Sequence, residues 1–257
     1  MVKKINKRGQ SLTIWIILAL ALVAAMALFF TIEIGPEISI GSDKELDAKR
    51  VVQLCVEDTI QETIENMIPH GGFIEDSNSI EYNRINISYL CLNKGNYLPC
   101  ISQHPNYIND LKKEIIENSE DKIEQCFQNM KTEAEKRNFD VVLGEMNIDI
   151  GFAINRIFVS IDREIKISKK ENAETFDEFK FEIVNPLYNL ALIASEISNE
   201  EAKNCYFEYV GYNILNKQTD IRKTTLDEGT KIYSIKDKKS GKEMNIAIRG
   251  CAIPAGI

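Results

Sequence analysis

The sequence predicts an α+β protein: a single N-terminal transmembrane helix followed by an extracytoplasmic α+β domain with long amphipathic helices packed on antiparallel strands. Residues 10–32 form a run of 23 residues without a charged side chain, which is long enough to span a bilayer core of about 30 Å as a helix. Later segments repeat apolar residues at helical spacing, and others alternate apolar and polar residues as strands do. The chain therefore divides into a basic leader (1–9), a membrane helix (10–32), a stalk (33–42) and an exterior domain (43–257).

The charges on either side of the apolar run predict its orientation. Four basic residues precede it and Glu33 and Glu37 follow it, so the positive-inside rule keeps the N-terminus in the cytoplasm and exports residues 33–257. The run is longer than the 7–15 apolar residues typical of a cleaved secretory signal. We therefore expect a retained single-pass anchor in the cell membrane, in contact with membrane lipid.

The exported part is acidic. Of 31 basic residues four lie in the first nine positions, so the rest of the chain carries 27 basic against 39 acidic side chains. A nucleic-acid partner needs a basic surface, and we expect none here.

The junction between leader and helix, residues 7–11 (KRGQS), resembles the class III signal of archaeal type IV pilin-like proteins. In that family a prepilin peptidase cuts between the basic leader and the helix, which implies cleavage here between Gly9 and Gln10. The helix would then either stay in the membrane or pack into a filament core. Bacterial pilins carry a glutamate five residues into the mature helix, where this chain has Ile14, so the bacterial pattern is not met.

The apolar helix itself leaves both outcomes open. Its small residues permit close helix–helix approach and hence self-association, or they belong to a lone anchor. They are Ala19, Ala21, Ala24, Ala25 and Ala27.

Three amphipathic helices are predicted in the exterior domain. The first is capped by Ser42 or Asp43, runs to about residue 68 and ends at the glycines of His70-Gly71-Gly72. The second starts at Asn106, whose side chain we expect to cap it, and runs to about Arg137. The third starts at Pro186. The inward stripe of the first helix contains Val52, Val56, Ile60, Ile64 and Met67.

Alternating residues predict the strands between and after these helices. One strand lies near residues 85–89, and a meander covers 139–168 with a tight turn at Asn155-Arg156. A further strand covers Phe179, Phe181 and Ile183, and a C-terminal hairpin joins 232–235 to 244–248 across DKKSGKE.

All six cysteines lie in the part of the chain that we expect outside the cell. An even count in an exported domain predicts up to three disulfides, with 15 conceivable pairings, whereas a reducing compartment would leave six buried thiols. Placement favours three pairs. Cys91 and Cys100 flank a turn, so the pair Cys91–Cys100 would close it. Cys55 and Cys126 lie on the inward sides of the first two helices, which favours Cys55–Cys126. The third pair, Cys205–Cys251, would anchor the tail.

No motif predicts an active site. The chain has no C-x-x-C, only two histidines (His70 and His104) and none of the common nucleotide, protease or hydrolase signatures, so we expect no enzyme, no cofactor and no structural zinc. Asn86-Ile87-Ser88 is an N-glycosylation sequon. The sequence therefore favours a pilin-like surface protein, either a filament subunit or an accessory. The alternative is an anchored binding module that captures a partner or a glycan without polymerising.

Overall fold

The computed structural model describes residues 48–170 and 172–253. The predicted leader, membrane helix, stalk and first-helix cap lie outside this range. Within it, no helix is long and apolar enough to cross a bilayer.

Four helices are present in the described residues: α1 (Ala48–Met67), α2 (Tyr107–Lys136), α3 (Leu187–Asn204) and α4 (Tyr209–Leu215). A short 3-10 turn, Ile68–His70, follows α1. The apolar stripe predicted for the first helix is fully buried, from Val52 to Met67. The predicted stop is also confirmed, because Gly71 and Gly72 adopt φ angles of +82° and +95°, which residues with a Cβ rarely reach.

The first sheet has six strands in the order β1-β2-β10-β9-β8, and β3 pairs with β2 on the same edge as β1. Its strands are β1 (Ser79–Tyr82), β2 (Ile85–Leu92), β3 (Ile101–Ser102), β8 (Thr219–Thr225), β9 (Lys231–Asp237) and β10 (Glu243–Arg249). The predicted C-terminal hairpin is the β9–β10 pair. β10 runs parallel to β2, so this sheet is mixed and not purely antiparallel as the sequence suggested.

The second sheet is built around the long strand β6 (Arg156–Lys169). Along one edge it pairs with β7 (Asn172–Val184), and along the other with β5 (Asn147–Ala153) and β4 (Asp140–Leu143). All its pairs are antiparallel, as the predicted meander requires. Its β5–β6 turn is Ile154-Asn155, one residue earlier than predicted, because Ala153 already pairs with Arg156.

One continuous apolar core joins α1, α2 and α3 to the inner faces of both sheets. It includes the large buried side chains of Ile60, Phe127, Phe179 and Tyr233. A second, smaller cluster covers the opposite face of the first sheet, around Ile87, Tyr89, Ile232 and Ala247. The central strands of that sheet are therefore buried on both faces, and in β2 five consecutive residues, Ile87 to Cys91, are buried.

One further expectation is wrong, and two elements of the structure were not predicted. Asn106 precedes α2 but its side chain makes no capping hydrogen bond; its Oδ1 instead accepts from Asn109 Nδ2 at 2.9 Å. Helix α4 and strand β8 were not predicted. Asn213 joins the two, since its amide accepts from the backbone N–H of Ile221 and donates to its carbonyl, both at 2.8 Å.

Candidate functional site

Disulfides pair all six cysteines. The bridges are Cys55–Cys126, Cys91–Cys100 and Cys205–Cys251, which close loops of 71, 9 and 46 residues. The predicted disulfides are present, in the three pairings that the sequence favoured. The first joins α1 to α2, and the last ties the end of β10 to the end of α3.

A buried ionic network lies beside the Cys205–Cys251 bridge. Glu201 on α3 is 1% exposed, and it accepts hydrogen bonds from the Tyr233 hydroxyl and from Lys231 Nζ. Lys231 also donates to the carbonyl of Cys205 at 2.8 Å. Burial raises the pKa of the Tyr233 hydroxyl far above its ordinary range, and the hydrogen bond to the Glu201 carboxylate raises it further. Because each buried charge has a partner, removal of either Glu201 or Lys231 would leave the other charge without its partner at the α3–β9 contact, which is destabilising.

The two histidines occupy different settings. His70 Nδ1 lies 2.7 Å from the carbonyl oxygen of Asn86. His104 stacks on Phe73 with the ring centroids 4.1 Å apart. Its Nε2 lies 3.2 Å from Asp76 and its Nδ1 3.8 Å from Asp110. Both nitrogens of His104 therefore face carboxylates, which leaves neither directed at a nucleophile as acid–base catalysis requires.

The contact with His104 affects the pKa of Asp76. Burial by itself would raise the pKa of the Asp76 carboxyl, but the hydrogen bonds from His104 and from the backbone N–H of Asn78 hold the pKa below its ordinary value. The carboxylate is thus kept charged, and it connects the loop before β1 to the segment that leads into α2.

Metal-ligand clusters are not found in the described part of the chain: no group of three or more histidine, cysteine, aspartate or glutamate side chains there is arranged to hold an ion. The abundant carboxylates of α1 and α2 mostly make surface contacts instead, such as Lys122–Glu62 at 3.1 Å.

The predicted glycosylation residue, Asn86, lies near the start of β2, and its side chain is exposed. Ser88 of the same sequon is 1% exposed. Glycosylation of Asn86 stays a prediction, as does cleavage between Gly9 and Gln10, which lie outside the described residues.

A surface groove of about 590 Å³ lies between α3, α4 and the β5–β6 turn. Several of its apolar side chains are open to solvent: Leu215 is 83% exposed, Ile154 62% and Leu192 39%. Asp237, Glu196 and Lys217 also line it. Exposed apolar side chains that line one concavity are typical of a contact surface for another molecule.

Sequence reasoning missed one buried cation. Arg163 is 5% exposed and binds Glu124 with both terminal nitrogens, at 2.6 and 3.2 Å. It also lies over the Phe127 ring, 4.7 Å from the centroid. The sequence did contain a sign that Arg163 is buried, because this residue occupies an inward position in the alternation that Ile161 and Ile165 define.

Comparison with known proteins adds no relative. No family model, no curated protein and no solved structure matches this chain.

Proposed function

We propose that this protein is a type IV pilin-like, membrane-anchored cell-surface structural protein, which serves as a filament subunit or as an accessory of a pilus-like assembly. The observation that carries the proposal is the distribution of cysteine. Every cysteine of the chain is part of a disulfide, and every one follows the uncharged run 10–32.

Disulfides persist in oxidising compartments and are rare in a reducing cytosol. A domain with three of them favours export, and the basic leader before the apolar run favours the same orientation. The junction KRGQS between leader and helix adds the resemblance to class III signals. Together these features support an exterior domain held at the membrane by a helix that a prepilin peptidase-like protease processes.

The first experiment tests processing. The full chain with its own leader is produced in a host that has a prepilin peptidase, and its N-terminal peptide is identified by mass spectrometry. We expect Gln10 at the N-terminus, and a Gly9→Trp variant should retain the leader because the bulky side chain blocks the cut. Recovery of Met1 or Val2 at the N-terminus of the unmodified chain would remove the pilin-like assignment.

The second experiment tests assembly. Surface material from cells with the unmodified chain and with Gly9→Trp is compared by electron microscopy. Filaments that disappear in the variant support a subunit or accessory role, whereas the absence of filaments from both, with a processed N-terminus, supports an anchored protein that does not polymerise.

The groove between α3 and α4 favours a second candidate, an anchored module that binds a partner or a glycan. Leu215 and Ile154 are the residues to test, because they are the two most exposed apolar side chains of the groove and neither belongs to the buried core. A Leu215→Ser, Ile154→Ser double variant makes this part of the lining polar. Under this second candidate the double variant loses surface capture of its ligand while membrane anchoring is unchanged. Under the first candidate filament formation continues unless subunits meet at this groove.

A further inference from the structure

Strand β7 is an open edge of the second sheet. It pairs with β6 along one side, and no other described strand pairs with it. The unpaired side of an edge strand presents a row of backbone N–H and C=O groups that can pair with a further strand. With 13 residues, β7 offers a longer row than the seven-residue edge strand β8 of the first sheet.

One hydrogen bond fixes which residues of β7 direct their backbone groups to the open side. The N–H of Asn185 donates to the carbonyl of Asn155 at 3.2 Å, one position beyond the last β6–β7 pair. Hydrogen-bonded pairs alternate with non-bonded pairs along an antiparallel ladder, so every second residue of β7 bonds to β6 and the residues between point away. The outward-pointing residues are Glu178, Lys180, Glu182 and Val184. No described residue forms a hydrogen bond with their backbone groups.

The edge at β8 is closed in a way that the edge at β7 is not. The side-chain amide of Asn213 on α4 bonds both the N–H and the C=O of Ile221 in β8, at 2.8 Å each. This side chain therefore takes the place of a neighbouring strand at that point. The part of the chain that the structure describes provides no such cover for the outward-pointing residues of β7.

The side chains along the open edge alternate in charge. Lys180 lies between Glu178 and Glu182 on the outer face of the sheet, and its side chain is 68% exposed. Glu182 is 42% exposed, and Val184 at the end of the row is 76% exposed. Because a lysine alternates with glutamates, the row can be complementary to a second copy of itself.

The charges select one register for such a self-pairing. Only outward-pointing residues can bond across the new contact. A two-fold axis at Lys180 would set Lys180 against itself and Glu178 against Glu182, and like charges directly opposite are destabilising. An axis at Phe179 would draw in the β6–β7 irregularity next to Glu178, where regular pairing is interrupted.

An axis at Phe181 satisfies both the backbone and the charges. It sets Lys180 of each copy opposite Glu182 of the other, and Glu178 of each opposite Val184 of the other. No like charges then face each other among these outward residues, and opposite charges directly across a strand pair are stabilising.

We propose that a second copy of this chain adds to the open edge of β7, and that the two strands pair antiparallel about a two-fold axis at Phe181. The two second sheets then form one continuous sheet. A two-fold contact uses the same surface on both copies and closes after two, so it is distinct from any contact that builds a filament. It does not depend on the leader or on the membrane helix, because every residue in it belongs to the described α+β domain.

The test uses two single charge reversals in the full-length protein in non-ionic detergent. Lys180→Glu sets like charges against each other at both symmetry-related pairs, and so does Glu182→Lys. Each variant should associate about thirtyfold more weakly than the unmodified chain. In an equimolar mixture of the two variants every glutamate at these positions faces a lysine, so mixed dimers should form with nearly the unmodified affinity.

A matched control lies on the same outer face. Lys166 on β6 is 57% exposed and pairs with Glu164, as Lys180 pairs with Glu178. Since Lys166 is on an interior strand of the sheet, Lys166→Glu should leave association unchanged. Mass is measured by sedimentation equilibrium in density-matched detergent over a range of protein concentrations. Deuterium exchange of the β7 peptide, followed by mass spectrometry, should slow as the dimer forms.

Four results would overturn the proposal. The first is a monomer at all concentrations up to millimolar. The second is a dimer that neither single variant weakens, which would place the contact elsewhere, for example in the membrane helix. The third is a mixture of the two variants that does not regain association, which would exclude this register. The fourth is slow exchange of the β7 amides in the monomer itself, which would show that another part of the same chain covers the edge.

Discussion

Removal of the Cys55–Cys126 disulfide should cost more stability than removal of the Cys91–Cys100 disulfide. The perturbation is a pair of double variants in which both cysteines of one bridge become alanine. Three of the four cysteines are buried, Cys126 (2% exposed), Cys91 (0%) and Cys100 (6%), and Cys55 is half-buried, so the loss of packed sulfur differs little between the two variants. What differs is the length of chain that each bridge closes.

The expected magnitudes follow from the loop lengths. In the chain-entropy description, closing the 71-residue loop removes about 4.4 kcal/mol of unfolded-state entropy at room temperature, and closing the 9-residue loop removes about 2.6 kcal/mol. The short loop lies inside the long one, which lowers the contribution of each bridge in the presence of the other by the same small amount, about 0.1 kcal/mol. The two double variants should therefore differ by about 1.8 kcal/mol in the free energy of unfolding.

The assay is equilibrium unfolding in urea, followed by far-ultraviolet circular dichroism of the full-length protein in detergent. The slope of the free energy against urea should also rise more for the long-loop variant, because its unfolded chain exposes more surface. Equal destabilisation by the two variants, or a larger loss from the short loop, would show that loop entropy does not determine the contribution of these bridges.

Three other predictions concern single side chains. Glu124→Ala should lower the free energy of unfolding by about 3 kcal/mol, because it leaves the buried Arg163 without its carboxylate; the double variant Glu124→Gln, Arg163→Met should recover stability in the same urea assay. Gly72→Ala should lower the free energy of unfolding by at least about 2 kcal/mol, since the φ of Gly72 is positive and a Cβ there would lie 2.2 Å from a methyl of Leu111 on α2. The control, Gly241→Ala, also has a positive φ but its Cβ meets no atom within 4 Å, so it should lower the free energy of unfolding by only about 1 kcal/mol. The pKa of Asp76 is lower in the folded state than in the unfolded chain, so its contribution to stability is present above the unfolded value of about 3.9 and is lost as the pH falls below it. Asp76→Asn should therefore reduce the loss of unfolding free energy at acid pH. An unchanged loss at acid pH would contradict this role of Asp76.

Local patterns predicted most helices and strands because the core selects one face of each element. The stripe from Val52 to Met67 and the alternation from Ile157 to Ile167 are periodic in the sequence and buried in the fold. Elements without such a stripe were missed. Helix α4 has no buried residue, and β8 buries only Ile221. Neither element therefore shows the periodic spacing of apolar residues from which helices and strands are predicted.

The candidate sites were less accessible to sequence reasoning. For the disulfides, the local placement of the cysteines favoured three of the conceivable pairs, but the sequence left the connectivity open, and the tertiary structure decided it. The groove between α3, α4 and the β5–β6 turn could not be predicted, since Ile154 and Leu215 are 61 positions apart along the chain and nothing local marks them as neighbours.

By itself the sequence determined the α+β class, the acidic balance of the chain after residue 9, the six cysteines and an uncharged run long enough to span a bilayer, because composition and periodicity are properties of the chain. Tertiary structure alone decided that β10 lies parallel to β2, that Arg163 is buried against Glu124, and that Ile154 and Leu215 line one groove. The physical reason is that these contacts join residues distant along the chain, and only the packing of helices and sheets around a common core brings them together.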